Sequence, residues 1–200
     1  MSRTEDMRKL AEELLHFKKS PLYVERVANK MLPVIGEGSL SAQIVFIGEA
    51  PGKKEASTGK PFCGASGRIL DELLASIDLP RERVYVTNIV KDRPTDNRDP
   101  SVEEIELYAP FLDRQIDIIK PKVIVTLGRF SMDYIMNRYG LEDSISTIGK
   151  NHGKVFVAKV GKRKVKMIPL YHPAASIYNQ KLKEDLKKDF LILKNCITGE

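Results

Sequence analysis

Two cysteines are all that the sequence holds, Cys63 and Cys196, and they stand in unlike contexts. They make no CxxC pair and no disulfide framework. Two thiols by themselves cannot hold a four-ligand zinc or iron–sulfur site. Histidine is nearly as scarce. Of His16, His152 and His172, the first two look peripheral, so a three-histidine zinc site is disfavoured. No apolar run approaches the ~20 residues that a membrane span needs. The first residues, MSRTEDMRKLAEELL, are charged and helically periodic rather than a leader with an apolar middle, which sets a cytoplasmic protein as the expectation. Internal repeats, low-complexity tracts and linkers are also missing, so residues 1–200 read as one domain.

What is present begins with apolar material. At 42% hydrophobic over 200 residues, the chain can build one real core. Charged residues, 30% of the total, argue against long disorder. The net charge of +6 is unevenly spread. Residues 151–200 hold 11 Lys and Arg against 4 Asp and Glu, while residues 1–150 hold 22 against 23. The whole positive excess therefore lies in the last quarter. A polyanionic partner fits that excess, because neutralising phosphates dominates non-specific DNA binding. A solvated basic helix fits it as well.

Hydrophobic periodicity lays out the elements. Met7, Leu10, Ala11, Leu14 and Leu15 have helical spacing. QIVFIG (43–48) reads as a buried strand, followed by a loop rich in Gly, Pro and Lys. Ser66 is placed to cap a helix carrying Ile69, Leu70, Leu73, Leu74 and Ile77. RVYVTNI (83–89) and KVIVTLG (122–128) are further strands. Between them, Ser101 and Glu104 form a capping box that opens a helix ended by Pro121. A short helix covers about 129–138, and stretches 154–160 and 164–170, joined by Gly161, suggest a hairpin. The last helix, about 180–194, turns Leu182, Leu186, Phe190 and Leu193 inward. Strands alternating with helices predict an α/β fold, a mostly parallel sheet between helical layers. Such sheets bind ligands beyond the carboxyl ends of their strands.

Three polar clusters fall there. The first is GEAPGKKE (48–55), followed by GKPF (59–62). Its Gly48, Pro51 and Gly52 make a tight turn that can bring backbone N–H groups near a ligand, but the GxxxxGK[ST] phosphate-loop pattern is absent. Glu49 ends the strand, where a carboxylate can orient water or stabilise a cation; a plain surface glutamate fits too. Phe62, in a polar loop, can stack on a planar base or plug the core. The second cluster is Asn88, interrupting the apolar run VYVTNIV. Its amide sets a donor beside an acceptor and matches one edge of a pyrimidine, or it satisfies a neighbouring loop. The third is His172-Pro173, where a neutral imidazole can donate to an oxygen that gains charge, or simply serve packing.

Taken together, these residues resemble family 4 of the uracil-DNA glycosylases, over about residues 17–190. The string IGEGSLSAQIVFIGEAPGKKEASTGKPFCGASGRILDELL (35–74) is similar to that family's first motif and its surroundings. Residues 84–128, from VYVTNIVKDRP to KVIVTLG, resemble its central region, and YHPAAS (171–176) its second motif. The resemblance implies a three-layer α/β/α fold and a monofunctional enzyme that cleaves the N-glycosidic bond of uracil in DNA. It also implies roles. Glu49 is the motif-one carboxylate, Gly48 and Ala50 contact the base through their backbone, and Glu55 guards against the methyl group of thymine. Phe62 stacks on the base, Asn88 reads it and His172 is the motif-two histidine. Motif one carries Ala50 where better-known relatives have a catalytic aspartate.

The resemblance departs in two places: HPAA (172–175) stands where many relatives have HPS, and the larger departure is at the cluster positions. The family's four iron–sulfur cysteines map to Phe17, Ser20, Asp92 and Tyr108, so no cluster is expected, and packing by Phe17 and Tyr108 is expected to hold those loops. Uracil-containing DNA is the expected partner, with Lys181, Lys183 and Lys187 as candidate phosphate contacts and a monomer as the acting species. The alternatives are excision of hypoxanthine or xanthine and a silent nucleic-acid-binding module. A covalent DNA-trapping relative is disfavoured, because KDRPTDNRDP (91–100) lacks the basic, histidine-containing insertion that chemistry requires.

Overall fold

Six strands form one sheet in the order β1-β3-β2-β4-β6-β5 in a computed structural model, which describes residues 2–198. Positions 1, 199 and 200 of the expected 1–200 domain lie outside the described residues. The strands are β1 (Glu37–Gly38), β2 (Ile44–Gly48), β3 (Tyr85–Asn88), β4 (Val123–Leu127), β5 (Phe156–Val160) and β6 (Arg163–Leu170). The four central strands run parallel, while β1 and β5 join the edges antiparallel. The sheet is thus mostly parallel, as the alternation of elements predicts.

The period of two along a strand sorts the core into two layers. Val45 and Ile47 of β2 and Ile124 of β4 face one layer, with Leu10 and Leu14 of α1 (Arg3–Leu15) and Leu112, Ile116 and Ile119 of α5 (Val102–Ile119). Ile44 and Phe46 of β2 and Val123 and Val125 of β4 face the other. That second layer holds Leu70, Leu73 and Leu74 of α4 (Ala65–Ala75) and Leu186, Phe190 and Leu193 of α8 (Gln180–Thr198). Phe46 and Phe190 stack with ring centroids 6.0 Å apart. Helices on both faces make the three-layer α/β/α arrangement. Each such buried side chain contributes about 1.5–3 kcal/mol relative to exposure.

Local rules and structure agree at most boundaries. The Ser101 hydroxyl accepts from the Glu104 N–H at 3.2 Å, and the Glu104 carboxylate accepts from the Ser101 N–H at 2.8 Å. The expected capping box is thus complete. Helix α6 spans Arg129–Arg138, and β5 and β6 form the antiparallel hairpin expected around Gly161. Ser66 is a correction. Helix α4 already begins at Ala65 after an extended Gly64, so Ser66 lies inside the first turn and caps nothing. Three short helices escape the periodicity: α2 (Leu22–Ala28), α3 (Lys53–Thr58) and α7 (Ile148–Asn151). None is long enough to show a clear apolar stripe. Among the described residues no helix is long and apolar enough to cross a membrane.

Candidate active site

The carboxyl ends of β2, β3, β4 and β6 open on one edge of the sheet, and all three polar clusters meet there. Gly48 at the end of β2 pairs in register with Asn88 at the end of β3. A Cβ on Gly48 would lie 2.3 Å from Asn88 Oδ1 and 2.8 Å from Phe62 Cζ. Only glycine lets the amide and the aromatic ring come this close. Asn88 is 1% exposed, yet its Nδ2 has no hydrogen-bond partner among the described residues. A buried donor left unpaired costs about 1–3 kcal/mol. Thr126 Oγ1 and Tyr134 Oη are also unpaired, but a hydroxyl can rotate its single hydrogen, whereas the amide presents fixed donors. A buried, fixed, unanswered donor beside an open backbone is a place for a ligand.

Phe62 is held under strain. Its φ of 48° is a conformation that bulky residues rarely adopt, at a cost of about 1–3 kcal/mol. Two contacts impose it. Gly67 packs directly under the Phe62 carbonyl, where a Cβ would come within 1.6 Å of the oxygen. The Glu55 carboxylate accepts the Gly52 N–H at 3.1 Å and also the Phe62 N–H, joining both ends of the loop. Burial raises the Glu55 pKa and these two backbone donors oppose the rise. The Phe62 ring then stands 5.7 Å from the His172 ring, tilted by 31°.

His172 follows β6 and packs its Cβ on Gly128, just past β4. Its Nδ1 accepts the Ala174 N–H at 3.2 Å. In the neutral ring the proton therefore sits on Nε2, which is left as a donor. Burial pushes the His172 pKa down to about 4, so the neutral tautomer prevails at physiological pH. Glu49 behaves oppositely. Half-buried, it has its pKa pushed up to about 7, first by desolvation and then by Asp99, with Arg129 opposing. Its main-chain oxygen accepts from the Val90 N–H at 3.0 Å, and Ala50 beside it is half-buried. The set offers an edge-reading amide, an aromatic wall, a neutral imidazole donor and a carboxylate that ionises near neutrality.

The lysines are less well placed. Lys181 and Lys187 are exposed on α8, while Lys183 pairs with Glu72 at 3.1 Å, an interaction of small worth at the surface. Sequence reading passed over Tyr178, which stands 98% exposed just beyond the turn Pro173–Ser176. Only its position could have marked it, because SIYN carries no periodic signal. His152 is a correction. Far from peripheral, its Nδ1 meets Asp189 Oδ2 at 2.8 Å and its ring lies 4.4 Å from that of Tyr171, the neighbour of His172.

Phe17, Ser20, Asp92 and Tyr108 do come together. The Tyr108 hydroxyl donates to Asp92 Oδ2 at 2.6 Å and lies 2.9 Å from the Ser20 hydroxyl. Arg26 donates to Asp92 Oδ1 at 3.2 Å and to the carbonyls of Leu14 at 3.1 Å and Leu15 at 2.6 Å. Phe17 meets Tyr108 edge to face, 5.6 Å between centroids. An iron–sulfur cluster asks for thiolates. A phenyl ring, two hydroxyls and a carboxylate already committed to one another do not fit it.

The comparisons agree with this geometry. Residues 35–193 match the family described as the uracil DNA glycosylase superfamily. The chain is 44% identical over 187 residues to the type-4 uracil-DNA glycosylase of Sulfurisphaera tokodaii, covering 93% of this chain and 82% of that one. It is 44% identical over 186 residues to the type-4 uracil-DNA glycosylase of Archaeoglobus fulgidus, covering 93% and 90%. The type-4 uracil-DNA glycosylase of Thermotoga maritima is 38% identical over 179 residues, covering 90% and 87%. With its parallel sheet, its converging motifs and a family match over most of its length, the chain belongs to the uracil DNA glycosylase superfamily.

Proposed function

We propose that this protein excises uracil from DNA by hydrolysing its N-glycosidic bond and leaves an abasic site. The observation that carries the reading is Asn88 Nδ2, buried and unpaired among the described residues, on an amide set against Gly48 and Phe62. The names of the three relatives given above, each a type-4 uracil-DNA glycosylase, support it.

The target nucleotide leaves the duplex, because no enzyme group can reach the bond within the stack. Phe62 stacks on the extruded base, and Asn88 answers its N3–H and O4. Cytosine meets the same amide with its N4 donor where an acceptor is required, and is refused. As the C1′–N1 bond lengthens, its electron pair moves onto the base and the sugar becomes an oxocarbenium ion. Nε2–H of His172 and the backbone near Gly48 and Ala50 stabilise the anion. Glu49, as a carboxylate, favours the cation and orients the water whose oxygen bonds to C1′. The proton released from that water balances the departure of the base. Glu55 holds the Phe62 loop and stands on the thymine-excluding side. Tyr178 fills the gap that the base leaves in the stack, as apolar wedges do in bent DNA. Lys181, Lys183 and Lys187 serve the phosphates. The protein acts as a monomer of one domain, in the cytoplasm, without an iron–sulfur cluster. The hydrogen-bonded Ser20–Tyr108–Asp92–Arg26 group supports that last point.

The test is alkali-revealed cleavage of a labelled oligonucleotide carrying one uracil, beside hypoxanthine and xanthine oligonucleotides. Cleavage at uracil, weakened by Asn88→Ala and by His172→Ala, is the expected result. Cleavage only at a purine lesion overturns the role of Asn88. Binding without cleavage of any substrate makes the chain a silent module. Iron analysis of the purified protein is expected to find none, and activity is expected to survive chelators.

A further inference from the structure

Hydrogen-bonded to the main chain of Asn88 is a lysine with no acidic partner among the described residues. Lys91 is 0% exposed, and among the described residues no carboxylate pairs with it. Such a group is expensive to bury, and an apolar side chain of similar length would fill the same volume without that cost. Lys91 instead turns back along β3. Its Nζ donates to the Asn88 carbonyl at 2.6 Å, to Thr87 Oγ1 at 2.7 Å and to Gln115 Oε1 at 2.6 Å. An ammonium has one N–H for each acceptor. Burial works against its charge, lowering its pKa well below the usual lysine value, and the three acceptors work for it.

The partners are themselves anchored. Gln115, on α5, donates from Nε2 to the Ile35 carbonyl at 2.8 Å and to the Tyr85 hydroxyl at 3.1 Å. The Thr87 hydroxyl donates to the same Ile35 carbonyl at 2.8 Å. The Lys91 carbonyl accepts from the Val34 N–H at 2.7 Å. Strand β3 and helix α5 therefore converge on one amino group, and segment 34–35 braces its acceptors. The carbonyl that this group grips belongs to Asn88, whose side chain packs on Gly48 and whose Nδ2 has no partner among the described residues to orient it. We propose that Lys91 is a positioning residue: it fixes the backbone of Asn88 and so the angle at which the amide meets the base. The proposal rests on the reading of Asn88 as the base-reading group.

A double-mutant cycle tests it. Single-turnover excision of a uracil oligonucleotide is measured for Lys91→Met, for Asn88→Ala and for the pair, with free uracil as a competitive inhibitor and abasic duplex as a binding probe. Lys91→Met is expected to slow excision at least about tenfold, since small misplacements of reacting groups are costly. Inhibition by uracil weakens in parallel, and affinity for the abasic duplex is unchanged. In the Asn88→Ala background the same change is expected to cost nothing further, because the group it positions is gone. Equal losses in both backgrounds, or no loss in the first, overturn the proposal and leave the reading of Asn88 standing. An Asn88→Ala variant as active as wild type overturns both. Thermal unfolding is followed throughout. If Lys91→Met does not fold, Thr87→Val decides: it keeps the volume, removes one acceptor, and is expected to give a smaller loss of about threefold with the same non-additivity.

Discussion

Two buried polar groups of this molecule make opposite use of the same chemistry. Around Tyr108, the hydroxyls, the carboxylate and the guanidinium answer one another: Tyr108 to Asp92, Ser20 beside Tyr108, Arg26 to Asp92. Around Asn88, the backbone is tightly held but the side-chain Nδ2 is left unanswered among the described residues. A closed network stabilises and specifies the loops that it joins. An open one keeps a recognition energy in reserve for whatever enters. Completeness of pairing, more than polarity or burial, separates the staple from the site.

The sharpest way to break the comparison is to close the site. Gly48→Ala places a Cβ into Asn88 and Phe62 and is expected to lower uracil excision at least about a hundredfold in a single-turnover assay, with the fold retained by circular dichroism. Asn88→Ala removes the open donor. Excision is expected to fall about 10²–10³-fold while the melting temperature holds or rises, because removing a buried Nδ2 that has no partner among the described residues relieves its desolvation cost. His172→Ala is expected to cost about a hundredfold. In the wild type, the pH–rate profile should show no histidine titration above about pH 5, since burial holds the His172 pKa near 4. Glu49 sets the profile instead. Burial raises its pKa to about 7, so the active carboxylate is lost as pH falls below that value, and kcat/KM should drop about tenfold per unit. Glu49→Gln lowers the rate and flattens this limb. The smallest effect on activity belongs to the closed network. Tyr108→Phe leaves Asp92 and Ser20 short of a partner and is expected to cost about 1–3 kcal/mol, a fall of several degrees in calorimetry, with excision unchanged below the transition.

Much of this was legible in the chain. The capping box at Ser101 and Glu104, helix α6 and the hairpin around Gly161 depend on residues close in sequence, and local rules reach them. The three polar clusters could be assigned to one edge because each follows an apolar strand. Ser66 misled because a good capping residue sits one position inside a helix whose start is set by the Phe62 loop packed on Gly67. His152 misled because its partner, Asp189, is 37 residues away on α8. Lys91 gave no warning at all. In the string IVKDRP it reads as a surface charge.

The sequence by itself determined the layered α/β fold and the edge where the clusters meet. These follow from periodicity, strand endings and residue identity, which are properties of neighbours along the chain. Only the tertiary structure decided which buried polar atoms are paired. It linked Ser20, Tyr108, Asp92 and Arg26 from distant segments, set the Lys91 amino group on the Asn88 carbonyl, and left Asn88 Nδ2 without a partner among the described residues. Hydrogen bonds form over about 3 Å in space and carry no memory of separation along the chain, so their pairing is fixed only when the layers pack.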